Sequence, residues 1–161
     1  EIPQNTGNIG RTCVGLGAEL HLVGELGFSL EGKDIKRAGL DYWPKLKVSR
    51  HKNWKAFQES LPPSADLCFF STKGKISIWD RKFKTPLFLI FGSESRGFPA
   101  SIYKEQSEKL VRIPHGPGIR SLNLSTAVGI ALYTWYRFSG TLRTGTKGVS
   151  TFYRNVPFCV L

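Results

Sequence analysis

Three short, almost unbroken apolar runs constrain this chain more than any other feature: Glu19–Val23, Asp66–Thr72 and Thr85–Phe91. Each has the length of a β-strand. None alternates apolar with polar residues as a strand wetted on one face would, so each is expected to be covered on both sides. Weaker runs at Lys109–Ile113 and Leu46–Arg50 add two further strands. Helical stretches separate them: Arg11–Gly17 precedes the first strand, Lys33–Ala38 and Asn53–Ser60 follow it, and Pro99–Glu105 lies before the Lys109 strand. Doubly covered strands alternating with helices predict an α/β fold, a parallel sheet with helices on both faces.

The best-marked helix is expected over Leu122–Phe138, where Leu124, Ala127, Val128, Ala131, Leu132 and Trp135 recur on one face. Thr126, Ile130, Tyr133 and Arg137 form a second, semi-apolar stripe. A helix with so little purely polar surface packs on two sides, so a second subunit is expected to cover the outer one. From Ser139 onward the pattern stops, and the run from Gly140 to Gly148 is polar and glycine-rich. The expected division is one domain over 1–138 and a tail over 139–161, although the apolar ending Val156–Leu161 is unlike a disordered tail.

The 161 residues carry 23 Lys and Arg against 12 Asp and Glu, a formal charge of +11, which favours polyanionic partners such as nucleic acid. A basic solvated face would give the same balance, so charge alone does not decide the matter. Cys13, Cys68 and Cys159 are widely spaced and show no CxxC pairing, which argues against a zinc site or a disulfide framework and fits a reducing compartment. His21, His51 and His115 have neither metal-ligand nor triad spacing, so no metal is expected. No apolar run is long enough to span a bilayer, so no membrane partner is expected. The chain opens at Glu1 and contains no methionine. A lost leader is therefore expected, with the protein cytoplasmic, or in an organellar stroma or matrix if that leader was a transit peptide.

Ligand crevices of open α/β sheets lie beyond the carboxyl ends of the strands. The strand ending at Phe91 runs into Gly92-Ser-Glu94-Ser-Arg96-Gly97, where glycines permit close backbone approach around one carboxylate. A tight turn with a solvated Glu-Arg pair would look the same. The strand ending at Ile113 runs through a loop stiffened by Pro114 and Pro117 to Ser121 and Asn123 at a helix start, where they could cap the helix or meet a polar ligand. Asn5-Thr-Gly-Asn-Ile-Gly10 reads as a turn before a helix whose first exposed cation is Arg11. Neither GxGxxG nor a P-loop occurs. Trp43, Trp54, Trp79 and Trp135 suit base stacking, but core packing explains tryptophans as readily.

Together these loops resemble the SPOUT superfamily of knotted RNA methyltransferases, in the SpoU-like branch that 2′-O-methylates the wobble cytidine or uridine of tRNA. The resemblance covers about Glu1–Phe138 and rests on Asn5-Thr-Gly-Asn-Ile-Gly-Arg11, Phe91-Gly-Ser-Glu-Ser-Arg-Gly97, Ile113-Pro114 and Arg120-Ser-Leu-Asn-Leu-Ser125. Leu26-Gly-Phe28 and Arg37-Ala-Gly-Leu-Asp-Tyr-Trp43 are similar to the wobble branch. The resemblance implies a C-terminal deep trefoil knot, a homodimer, and tRNA as substrate. It implies S-adenosyl-L-methionine held by Phe70, Gly92, Ile113 and Ser121; catalytic Arg11, Glu94, Asn123 and Tyr133; and tRNA contacts from Asn5, Arg11, Arg96 and Arg120. The chain departs from the pattern twice: the family's first strand, before Asn-Thr-Gly, is not in it, and Ser93 replaces the usual proline. The alternatives are 2′-O-methylation of rRNA or of another tRNA position, and a catalytically silent RNA-binding module.

Overall fold

The computed structural model describes residues 3–25, 41–139 and 157–160. The expected helix Lys33–Ala38 and the segment Leu26–Phe28 lie outside them, as do Arg37–Leu40 of the second wobble-branch motif. The elements are α1 (Pro3–Leu16), β1 (Glu19–Val23), β2 (Val48–His51), α2 (Trp54–Glu59), β3 (Asp66–Phe70), β4 (Ile76–Ser77), β5 (Leu87–Phe91), α3 (Ala100–Glu105), β6 (Leu110–Arg112), α4 (Leu124–Ser139) and β7 (Pro157–Val160). The seven strands form one sheet in the order β2-β1-β7-β5-β3-β6-β4, with every neighbouring pair parallel.

The unbroken apolar runs follow from cover on both faces. Along β5, Leu87, Leu89 and Phe91 point into a core packed by α1 and α4, with Ile9, Cys13, Val128, Leu132 and Trp135 among its members. Phe88 and Ile90, one residue out of phase, point into a second core with Phe57 of α2 and Ile102 of α3. A period of two with both faces buried leaves no polar position in the strand. Each large side chain so buried stabilises the fold by about 1.5–3 kcal/mol. Cys13 and Cys68 are free and buried within the first core, and burial pushes both thiols up to about 12.

Several expectations change. The Asn5–Gly10 segment, read as a turn, is helical, because α1 begins at Pro3, a residue suited to a helix start. Helical Gly10 is a packing residue: a Cβ there would lie 3.0 Å from Leu46 Cδ2 and 3.1 Å from Trp43 Cζ3. The Thr85 strand starts instead at Leu87, since Pro86 has no N–H to give to the ladder; its carbonyl accepts from Asp66 N at 2.9 Å. The long helix begins at Leu124 rather than Leu122, because Asn123 caps it.

The largest correction concerns the tail. Pro157–Val160 is not a loose end but a strand in the middle of the sheet, aligned with β1 from Glu19↔Pro157 to Leu22↔Val160 and with β5 from Leu89↔Phe158 to Phe91↔Val160. Its apolar composition, anomalous in a tail, is what an interior parallel strand requires. Without it β1 and β5 would each lack a ladder partner on their facing edges.

Candidate functional site

Three loops leave the carboxyl ends of β3, β5 and β6 and line one cavity of about 550 Å³. That volume lies within the usual range for small-molecule sites. Its floor is aromatic: Phe70 and Phe91, paired in register at the ends of β3 and β5, stack with centroids 4.7 Å apart and planes 8° from parallel. Gly92, Ser93, Glu94 and Arg96 come from the β5 loop, and Ile113, Arg120, Ser121 and Asn123 from the β6 loop.

The β5 loop is shaped by its own backbone. Ser93 N donates to Gly97 O at 3.1 Å, Gly97 N returns to Ser93 O at 2.8 Å, and Gly97 has a φ of 68°, favoured by glycine. A Cβ on Gly92 would sit 2.4 Å from Gly97 C and 2.6 Å from Phe98 N. Gly92 is thus demanded by loop closure, whatever else approaches it. Ser93 accepts from Arg96 N at 3.3 Å through its hydroxyl and so holds the turn by a hydrogen bond that the proline expected here from the resemblance could not make.

Glu94 anchors a polar network at the cavity wall. Asn5 Nδ2 donates to Glu94 Oε2 at 2.8 Å, while Asn123 Nδ2 donates to Asn5 Oδ1 at 3.0 Å and to Glu94 Oε1 at 3.5 Å. Asn123 also caps α4, its Oδ1 accepting from Ser125 N at 2.9 Å and from Thr126 N at 3.3 Å. The capping and site readings of Asn123 are therefore both true, because the amide's two ends face different partners. Ser121 lines the cavity and is not the cap.

Asn5, 6% exposed, does not itself line the cavity, and two further expected site residues stand apart from the network as well. Arg11 is absent from the cavity lining; it projects from α1, with its guanidinium 4.6 Å from the centroid of the Tyr42 ring and 3.8 Å from Asp41 Oδ1. Burial pushes the Tyr42 phenol up, partly opposed by Arg11, and its hydroxyl donates to Gly7 O. Tyr133 is 56% exposed on the outer stripe of α4 and does not line the cavity either. Conversely, Lys73 and Tyr103 line the cavity without any signal in the sequence. Lys73 Nζ lies 4.3 Å from the Tyr103 ring centroid, and the Tyr103 hydroxyl is 3.3 Å from Ser71 Oγ. Tyr103 comes from α3, which no loop motif marks.

Among the described residues, no group of three or more His, Cys, Asp or Glu is placed to hold a metal ion. No helix among them is long and apolar enough to cross a membrane.

Residues 1–133 match the SpoU rRNA Methylase family, and the chain belongs to that family. More particularly, it is 41% identical over 142 residues to a tRNA (cytidine(34)-2′-O)-methyltransferase of Burkholderia ambifaria, covering 87% of this chain and 91% of that protein. It is also 41% identical to the protein of that name from Escherichia coli K12, covering 87% and 89% respectively. A solved structure described as giving insight into the 2-OH methylation of C/U34 on tRNA is 42% identical, with a TM-score of 0.79 and cover of 87% and 91%. An AdoMet-bound rRNA methyltransferase from Sinorhizobium meliloti is 27% identical, with a TM-score of 0.73 over 85% of this chain and 52% of that one.

Proposed function

We propose that this chain transfers a methyl group from S-adenosyl-L-methionine to the ribose 2′-hydroxyl of the wobble nucleotide, cytidine or uridine, of tRNA. The observation that carries the reading is the convergence of the Phe70, Gly92–Gly97 and Ile113–Asn123 loops on one cavity, with Glu94 and Asn123, both tied to buried Asn5, in its wall. The activity named for the relatives at 41% identity agrees with it.

The cavity suits the donor. Phe70 and Phe91 offer an apolar, aromatic floor, and the backbone of Gly92, Ile113 and Ser121 offers polar groups for a purine edge. When bound, the donor supplies an electrophilic methyl group on a positively charged sulfur. Glu94 and Asn123, locked to each other and to Asn5, fix the wall against which the acceptor ribose is oriented. Arg96 and Arg120, both exposed at the cavity, are placed for the phosphates of the substrate. A guanidinium is a poor base, so Arg11 acts by stabilising the developing alkoxide and an adjacent phosphate, and the hydroxyl proton leaves to water or to another acceptor.

Arg11 and Tyr133 lie outside the cavity of their own protomer, which favours a homodimer with the outer stripe of α4 at its interface. Tyr133 and Phe138, 56% and 57% exposed, are the apolar surface such an interface would cover. The three converging loops and the packing of α4 back onto α1 support the reading that the chain carries the trefoil knot the resemblance implies. The working compartment is one that holds tRNA: the cytoplasm, or an organellar stroma or matrix. Incubating the protein with labelled S-adenosyl-L-methionine and tRNA transcripts tests the reading. Label should enter tRNA. RNA binding without transfer, and no heat of cofactor binding by calorimetry, would leave a silent RNA-binding module instead.

A further inference from the structure

Of the four tryptophans, Trp135 is a core residue and Trp43 and Trp54 are partly covered, but Trp79 is 54% exposed. Its backbone is held firmly. Ile78, fully buried, roots the turn; Ile78 N donates to Arg112 O at 2.9 Å, Trp79 N to Ser77 Oγ at 3.3 Å, and Asp80 N to Ser77 O at 3.0 Å. Just beyond, Arg81 is bound to Asp66, whose other carboxylate oxygen accepts from Lys84 N at 3.0 Å. An indole held out in water by a pinned turn forgoes the burial that an aromatic side chain of this size ordinarily gains.

The position and charge of this turn indicate what it meets. Strand β4 is the sheet edge and pairs Ser77 with Arg112 of β6, so Trp79 lies just past the carboxyl end of β4. That is the end at which Ile113 and His115 enter the cavity wall. The stretch 73–84 carries Lys73, Lys75, Arg81, Lys82 and Lys84 against a single acid, Asp80. Lys75, Lys82 and Lys84 are exposed.

Resting on the proposed methyl transfer to tRNA, we propose that Trp79 is a stacking platform for an unpaired base of the RNA near the nucleotide being methylated, with Lys75, Lys82 and Lys84 neutralising the phosphates beside it. Single-stranded RNA is the occupant that combines a free aromatic face with dense negative charge. The exposed Lys75, Lys82 and Lys84 beside the indole favour a polyanion over a neutral or basic protein surface.

The test compares Trp79→Ala, Trp79→Leu and Trp79→Phe in the full chain, using a labelled anticodon stem-loop for binding and whole tRNA for kinetics. Ala and Leu are expected to weaken stem-loop binding and raise the KM for tRNA about tenfold, while Phe stays within about threefold of the parent. Cofactor affinity by calorimetry and the sedimenting mass should not change. Leu performing as well as Trp would overturn the proposal, as would loss of dimer in Trp79→Ala. A parent protein that binds stem-loop through Trp79 but methylates no tRNA would refute the methyl-transfer reading and leave the platform standing. Full methylation by Trp79→Ala with parental KM would do the reverse.

Discussion

Asn5 and Glu94, separated by 89 positions in sequence, are joined by a hydrogen bond of 2.8 Å that ties the first turns of α1 to the loop after β5. Asn123 closes the triangle by donating to both, so one carboxylate organises two amides from the two ends of the domain. Glu94→Ala should leave Asn5 Nδ2 without its acceptor and Asn123 Nδ2 with Asn5 Oδ1 alone. A loss of about 1.5–3 kcal/mol in stability is expected from urea titration, with methylation falling about a hundredfold or more. Parental methylation by this variant would remove the network from the active centre.

The donor and acceptor sides should separate under mutation. Gly92→Val places atoms where Gly97 C lies 2.4 Å from the would-be Cβ, so the loop must open and cofactor affinity should fall first. Arg11→Ala, on the outer side of α1, should abolish methylation with cofactor affinity nearly intact. Calorimetry with S-adenosyl-L-methionine alongside initial rates checks both. Equal loss of affinity and rate in Arg11→Ala would place Arg11 in the donor pocket.

The histidines of β1 and β2 set a pH dependence unrelated to catalysis. His21 Nδ1 lies 2.9 Å from His51 Nε2 with the rings stacked, and Phe57 and Phe88 pack edge-on against them. Burial holds both imidazoles below their ordinary 6.5, outweighing the opposing pull of Glu19. The unfolded chain therefore binds more protons than the folded one below that value, and stability should fall as pH drops through 6.5. Thermal melts between about pH 7.5 and 5 check this, and His21→Gln should flatten the slope. An unchanged slope would show that the pair does not govern acid sensitivity.

The strand Pro157–Val160 should be structural. Removing everything after Ser139 strips β1 and β5 of the partner between them, and a loss of more than about 3 kcal/mol is expected from the orphaned ladder groups alone. An unaltered urea midpoint would show that the sheet does not depend on β7.

Strands β3 and β5 were legible because burial on both faces leaves a continuous apolar signature, and the loops after β5 and β6 because glycine and proline mark them. Two strands were not legible. Ile76–Ser77 is two residues long and too short for any period, and Pro157–Val160 follows a polar run from which nothing local predicts a return to the sheet centre. Asn5 was legible as polar but not as helical, since its surrounding glycines argue for a turn, and the packing of α1 on α4 and β1, with Gly10 close against Trp43 and Leu46, overrides them. Lys73 and Tyr103 reach the cavity through tertiary contact alone, and Trp79 differs from its three counterparts only by exposure, which sequence does not display.

The most direct test of the account is alkaline hydrolysis of tRNA after methylation by the protein. A methylated 2′-oxygen cannot attack the adjoining phosphate, so the ladder should skip one bond, at the first anticodon nucleotide, and added salt should suppress the reaction steeply because a +11 protein releases counterions on binding. A gap elsewhere in the tRNA, or label on a base with no gap, would contradict it.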